Sequence, residues 1–507
     1  MVKKETSAQW ILLIAVFCIA TCGLIYELVA GTLASYLLGD SVTQFSTIIG
    51  TYLFAMGIGS FLSKYFDKDI LSWFIKIELL IGLIGGFSSA TLFLFFPLVN
   101  SFRIILYLLV LVTGILVGLE IPLLMRILKD KIEFKDMVSK VFSFDYIGAL
   151  FASVAFPLIL IPHLGLIRTS LFFGIINIAI GWYLAHYFAV QIKRAAAIKF
   201  MAIVLLVIEV VAFVFSDSIM SYSESLAYRD NIVYATSSPY QRIVITKNKR
   251  ELRLNLNGNL QFSSADEYRY HEALVHPALS SVTSLKSVLV LGGGDGLAIR
   301  EILKYPSVQK IKLVDLDETI TKLFSTQEIL VKLNDASLQN KKVEIKNEDA
   351  FLWLNETEEK FDAVVIDFPD PSNFSIGKLY STMFYTLLKK VLNPDGVAVI
   401  QSTSPFVAPK SFWCINNTIQ SAGFFTKPYH NYVPSFGEWG YIIASLKPDL
   451  HWFAAYPAGL KFLSQSVTGQ MFIFPQDMQY NKPIPVNKLN NQVLVGYFEE
   501  EWDKYLD

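Results

Sequence analysis

The sequence predicts a multi-pass α-helical membrane domain fused to a soluble α/β part, the latter built from a small antiparallel β region and a parallel sheet. Three observations predict it. The first 215 residues consist of long apolar runs with few charges. Beyond Phe215 the composition returns to that of an ordinary, slightly acidic soluble protein. From Ser287 onward, strand patterns alternate with helix patterns, as a parallel sheet requires. Over 507 residues the chain is 53% apolar and 17% charged, against about 25% charged in a soluble domain. The net charge of −1 excludes a strongly basic nucleic-acid binder. Its three cysteines, Cys18, Cys22 and Cys414, form no CxxC and are too few for a disulfide framework.

The apolar runs are 9–30, 42–62, 71–98, 102–126, 141–161, 166–188 and 200–215. Most approach the ~20 residues that cross a ~30 Å hydrocarbon core, so about seven transmembrane helices are expected over residues 1–215. Apolarity continues after the first run, which argues against a cleaved signal peptide. Basic residues fall on alternate loops: Lys64 and Lys68, then Arg126, Lys129, Lys131, Lys135 and Lys140, then Lys193, Arg194 and Lys199. The positive-inside rule puts those loops and the N-terminus in the cytoplasm. Seven helices would then leave the soluble half outside, whereas the chemistry read below needs a cytosolic nucleotide. A helix count in error by one and a cytoplasmic catalytic domain are the expectation. Glu27, Glu120, Asp145 and Glu209 sit inside apolar runs, where acids are costly. They would either line a path for cations or hydrogen-bond between helices.

Residues 216–285 read as a Ser-rich linker (216–230) and a small β subdomain, with strands at 243–246 and 252–256 and a hairpin turn at Asn257-Gly258. A helix is expected over 265–279, up to its proline. Residues 286–507 carry five strands, ending near Gly292, Asp317, Ala350, Pro371 and Ser402. This is a Rossmann-like, methyltransferase-type pattern.

Candidate chemistry gathers where those strands end. Gly292 and Gly294, in the turn Gly292–Gly296, allow a ligand close to the backbone. Asp315 ends the second strand, where an acid accepts hydrogen bonds from ribose hydroxyls. Asp349 follows the third, placed for an adenine amino group. The run is GxGxG rather than GxGxxG, which disfavours a dinucleotide. Asp295, inside the turn, would repel a carboxylate but pair with a cationic aminopropyl arm. The charge logic favours decarboxylated S-adenosylmethionine. Asp367 and Asp370, in DFPDP, suit a diamine, one holding an ammonium and the other accepting a proton. No HExxH or Cys/His pairing involves the six histidines, so no metal is expected. His276 reads as a packing or capping residue, and Trp439 and Tyr441 as core or channel wall.

With YQRI (240–243), LNGNLQFSSADEYRYHEALVHPAL (256–279), VLVLGGGDGLAIREILKYP (288–306), VDLDETI (314–320), EDAFLWL (348–354), DFPDP (367–371), LYSTMFY (379–385) and VPSFGEWGY (433–441), the chain resembles the spermidine synthases, or polyamine aminopropyltransferases. The N-terminal half, with YELVAGTLASYLLGD (26–40) and FDYIGAL (144–150), resembles the membrane-fused bacterial members. The resemblance implies SN2 transfer of an aminopropyl group from decarboxylated S-adenosylmethionine to putrescine. Asp367 would be the proton acceptor, and Asp370 would hold the amine beside Tyr270 and His271. Asp295 would pair with the aminopropyl amine. Gln241, Asp315, Asp349 and Ala350 would bind the nucleoside, and Tyr380 with the 371–379 loop would close over the site. It also implies a homodimer, with no cofactor beyond the co-substrate. Two departures concern the acceptor: Ser372, Asn373 and Phe374 stand where soluble members usually have a second proline, and Phe436 where many have Tyr. Competing readings are a methyltransferase on the same fold and a polyamine transporter or sensor whose soluble half only binds.

Overall fold

The computed structural model describes residues 2–38, 41–99, 101–129, 132–228, 230–448 and 456–506. His451 lies outside them. The chain divides into two compact units, Met1–Ile232 and Val233–Asp507.

The first unit is helical: α1 (Val2–Leu38), α2 (Ser41–Leu62), α3 (Ile70–Phe95), α4 (Phe102–Leu128), α5 (Phe134–Ala155), α6 (Ile161–Tyr187), α7 (Ala195–Val214) and α8 (Ser216–Ala227). Among the described residues, six stretches are long and apolar enough to cross a membrane, not seven. The difference lies at 134–187, a single stretch of 54 residues. It joins α5 and α6 through a π-helical segment, Phe156–Leu160, and breaks at Gly165 (φ 70°, ψ −178°). At 1.5 Å per residue such a stretch is ~80 Å long, enough for two crossings of a ~30 Å core. Small residues let backbones touch: a Cβ on Gly59 of α2 would collide with the Ile115 carbonyl of α4, and one on Gly118 with that of Met56.

Polar contacts mark the two ends of this unit. At one end Arg126 donates to the Ser63 carbonyl (2.9 Å) and Lys193 pairs with Asp69 (3.1 Å), gathering the basic loops. At the other, Arg168 pairs with Asp217 (2.6 Å) and Ser223 donates to the Phe93 carbonyl (2.6 Å). The segment expected as a linker is therefore largely a docked helix, α8. Ser223 and Ser225 spend their hydroxyls on the Phe93 and Tyr222 carbonyls.

Next come β1 (Asn231–Ser237), β2 (Arg242–Lys247), β3 (Leu252–Leu256) and β4 (Asn259–Ser263), one small sheet in that order in which β2, β3 and β4 pair antiparallel. Then follow α9 (Glu267–Leu279), β5 (Ser287–Gly292), α10 (Leu297–Ile302), β6 (Lys310–Asp315), α11 (Glu318–Thr326), α12 (Glu328–Leu333), β7 (Val343–Asn347), α13 (Ala350–Glu356), β8 (Phe361–Asp367), α14 (Phe374–Gly377), α15 (Thr382–Val391), β9 (Leu392–Gln401), α16 (Pro409–Ser421), β10 (Phe425–Val433), β11 (Gly437–Ser445), α17 (Gln465–Met471) and α18 (Val493–Leu506). The main sheet runs β10-β11-β9-β8-β5-β6-β7. It is mixed rather than wholly parallel, because β10 and β11 are antiparallel. Inner strands are buried on both faces. Val288, Val290 and Val365 meet one core, and Leu289, Leu291 and Ile366 the other. The chain leaves β5 toward β6 and β7, then returns to build β8 and β9 on the other side. The crevice at the C-terminal ends of β5 and β8 is thus the topological switch point.

Candidate active site

Gly292 ends β5 directly opposite Asp367 at the end of β8. Gly292 has φ 75°, and a Cβ there would collide with the Asp367 carbonyl. A glycine is thus required by both backbone and neighbour. A Cβ on Gly294 would come within 2.8 Å of the Asp315 carboxyl, whose Oδ2 accepts the Gly294 N–H (3.0 Å). Asp315 Oδ1 accepts the Asp317 N–H (2.9 Å). The glycine turn therefore sits between the two predicted carboxylates.

Around Asp367 the predicted residues converge. The Tyr270 hydroxyl donates to Asp367 Oδ1 (2.6 Å). His271, the next residue on α9, is buried and bonds Glu267 Oε2 through Nδ1 (2.8 Å). Arg300 of α10 clamps Glu267 with two bonds of 2.9 and 3.0 Å. Burial opposes a charge on His271, yet the bond and charge of Glu267 lift its pKa to about 9, so it is cationic at neutral pH. Burial raises the Asp367 carboxyl, with His271 and the Tyr270 bond pulling it back. Burial also raises Asp295 to about 6, with His271 opposing. Asp315 rises to about 6 through burial, despite its two backbone N–H bonds.

Asp370 is held by Gln401 (3.5 Å) and Thr403 (3.3 Å), weak bonds that leave burial free to push it up to about 7. Gln401 also donates to the Phe368 carbonyl and to the Tyr380 hydroxyl (2.8 Å), and accepts from Trp439 Nε1 (3.2 Å). Trp502 of α18 donates to Thr403 Oγ1 (3.3 Å). Thr403 holds φ 54°, a left-handed conformation unusual for a branched residue and typical of functional sites. Phe436 packs on Tyr270 and Trp439, with centroids 6.0 and 5.3 Å apart. Trp439 therefore belongs to the wall of this pocket, whereas Tyr441 is core, stacked on Tyr429.

Three predicted residues also make contacts within the chain. Tyr380, expected to close over the site with the 371–379 loop, is fully buried and donates to the Pro369 carbonyl (3.0 Å) of DFPDP. Gln241, expected at the nucleoside, donates from Nε2 to Asp317 Oδ2 (2.8 Å). Asp349 is engaged as the cap of α13, accepting from Phe351 N (2.8 Å), and pairs with Lys378 (2.6 Å). Ala350 is buried just after it. His276 is structural, bonded to Glu301 (3.0 Å) and the Tyr305 hydroxyl (3.0 Å). Sequence reading missed Glu267, Arg300, Gln401, Thr403 and Trp502. Gln401 alone carried a signal, standing at the end of a predicted strand.

The spermine/spermidine synthase domain family matches residues 267–454. A polyamine aminopropyltransferase of Leptospira interrogans is 53% identical, over 98% of this chain and 100% of its own. One from Streptomyces coelicolor is 40% identical, over 98% of this chain and 96% of its own. The solved spermidine synthase of Thermotoga maritima is 26% identical, covering 48% of this chain and 85% of that one, with a TM-score of 0.45. The full-length relatives carry the conclusion: the chain belongs to the polyamine aminopropyltransferase family and is a transferase.

Proposed function

We propose that the protein is a membrane-bound spermidine synthase moving the aminopropyl group of decarboxylated S-adenosylmethionine onto putrescine. The carrying observation is the set of half-buried, desolvated acids, Asp295, Asp367 and Asp370, around one switch-point crevice. Burial strains their ionised forms, and an ammonium supplies the missing counter-charge. Asp370 holds the distal ammonium of the diamine. Asp295 pairs with the aminopropyl amine. Asp315 has lone pairs beyond its two backbone bonds for ribose hydroxyls.

The reacting nitrogen attacks the propyl carbon bonded to sulfur. The carbon–sulfur bond breaks, its electron pair neutralises the sulfonium, and methylthioadenosine leaves. The proton shed by the new secondary ammonium passes to Asp367. The Tyr270 hydroxyl orients Asp367, and cationic His271 keeps it ionised. Most of the acceleration is positioning of two cations in a dry crevice. Membrane insertion is supported by large apolar side chains left exposed on the helices, including Phe54 (66%), Ile104 (67%) and Val214 (65%), a surface unsuited to water.

Purified full-length protein in detergent, given decarboxylated S-adenosylmethionine and putrescine, should form spermidine and methylthioadenosine in equal amounts, read by mass. Asp367→Asn should cut turnover about 10²–10⁴-fold while nucleoside binding holds. An unimpaired variant, or methyl transfer from S-adenosylmethionine instead, would overturn the reading. Faster turnover with another diamine would replace putrescine alone.

A further inference from the structure

We infer that Glu267, clamped by Arg300, is a positioning residue of the transfer: it fixes the ring and the charge of His271, and through them the ionised state of the acids in the crevice. Its carboxylate serves two partners. Oε1 accepts from Arg300 (3.0 Å), whereas Oε2 accepts from Arg300 (2.9 Å) and also meets His271 Nδ1 (2.8 Å). Joining α9 to α10 needs only the pair with Arg300; the shared Oε2 extends that pair to the ring. Nδ1 also lies 2.9 Å from the Glu267 carbonyl. Facing two acceptors, it must carry a proton, so the proton that titrates is the one on Nε2. The clamp is itself held. Arg300 donates further to the Leu333 carbonyl (2.9 Å) and to Glu301 (3.0 Å). Beside Leu333, Asn334 donates to the Asp295 carbonyl (2.9 Å). One junction of α9, α10 and α12 thus places both His271 and the turn that carries Asp295.

The charges around the ring are few. Asp295 in the glycine turn and Asp367 at the end of β8 act on it across space. On α10, Glu301 is taken up by Lys304 (2.6 Å) and His276 (3.0 Å) as well as by Arg300. On β10 and β11, Tyr429 and Tyr441 bond the Ala273 and Tyr270 carbonyls (2.7 and 3.4 Å), and His430 pairs with Glu438 (2.5 Å). Asp395 of β9 pairs with Lys447 at an exposed end. Asp362, at the start of β8, accepts the Lys286 and Ser287 N–H groups (2.9 Å each). Among the described residues, Glu267 alone is bonded to the ring. Burial by itself would leave His271 neutral; Glu267 reverses this. Burial pushes Glu267 up as well, but His271 and Arg300 outweigh it and hold the carboxyl below its ordinary value. A neutral His271 would no longer pull down Asp295 and Asp367, both raised by burial.

Glu267→Gln keeps an acceptor for Nδ1 and removes the charge. In full-length protein carrying isotope-labelled histidine, in detergent, the His271 resonance is identified by its loss in His271→Gln. It should titrate near 9 in wild type and at least about one unit lower in Glu267→Gln. With saturating decarboxylated S-adenosylmethionine and putrescine, the acid limb of kcat should move up by about one unit, so that turnover falls about tenfold near pH 7 and recovers near pH 9. Glu267→Gln combined with Arg300→Met, which leaves no buried cation unpaired, should behave alike. In a His271→Gln background, Glu267→Gln should change kcat less than about twofold, because it acts through the ring. A pair that merely joined two helices would lower the Tm and leave the titration and the acid limb in place. That result, or full additivity with His271→Gln, would overturn the inference. Its catalytic consequence rests on the proposed transfer, whereas the titration is read without turnover. Absent methylthioadenosine from wild type would therefore reject the reaction, and an unmoved His271 midpoint would reject the role of Glu267.

Discussion

Asp370 is placed where a carboxylate is uncomfortable, half-buried and desolvated with two long hydrogen bonds, and its pKa rises from 3.8 to about 7. The sign of the stability effect follows. The folded pKa lies above the unfolded one, so the protonated form is favoured by folding. The stability tied to it is complete below pH ~4 and is lost as pH rises through about 7. Asp370→Asn should therefore leave the apparent Tm of the catalytic unit unchanged near pH 4 and raise it at pH 8. The same variant should lose at least ~10²-fold in kcat/KM for the diamine, the order seen when a buried charge contact is removed. Thermal melts at the two pH values decide it; a shift equal at both would reject the burial account. In wild type, kcat/KM for the amine should climb between pH 6 and 8, as Asp295 (about 6) and Asp370 (about 7) ionise. Function here is obtained by holding acids away from water, at the expense of stability.

At the level of elements, α18 does what no motif announced. The match to the synthase domain ends at residue 454, yet residues beyond it return to the site. Glu501 accepts the Lys410 and Ser411 N–H groups at the start of α16 (2.8 and 2.9 Å), which pins α18 in place. Trp502 then reaches Thr403, the residue that bonds Asp370. Trp502→Ala should widen the acceptor side of the pocket. The ratio of kcat/KM for spermidine to that for putrescine should rise at least tenfold, read as spermine formed by mass; an unchanged ratio would sink the idea. The Gly292 turn, Asp315, Asp367 and Asp370 were legible in the sequence because a parallel sheet delivers its functional residues at strand ends, where glycine and acid stand out. The Trp502–Thr403 bond was not, since it spans 99 positions and no local pattern encodes it. β10 was hidden by Pro428 and its polar neighbours, which an edge strand tolerates. The burial of Tyr380 was not legible either, because sequence shows a hydroxyl beside a loop but not what covers it.

For the whole molecule, two physical demands conflict. Arg126, Lys193 and their neighbours gather at one end of the helical unit, while α8, from which the chain continues, docks at the other. Joining α5 and α6 did not remove the conflict, because the 54-residue stretch still has length for two crossings. Loop charge says the basic end faces the cytoplasm. The proposed co-substrate is a charged sulfonium made inside the cell, and it cannot cross a ~30 Å hydrocarbon core unaided. The first is a statistical bias; the second is a requirement of turnover. The catalytic unit should therefore face the cytoplasm, with the basic loops outside. Single cysteines introduced at the two ends, Lys193→Cys and Tyr222→Cys, report the direction in intact cells through a membrane-impermeant maleimide. Lys193→Cys should label and Tyr222→Cys should stay protected until the membrane is broken. The reverse pattern would put the catalytic unit outside and require that its co-substrate be delivered there.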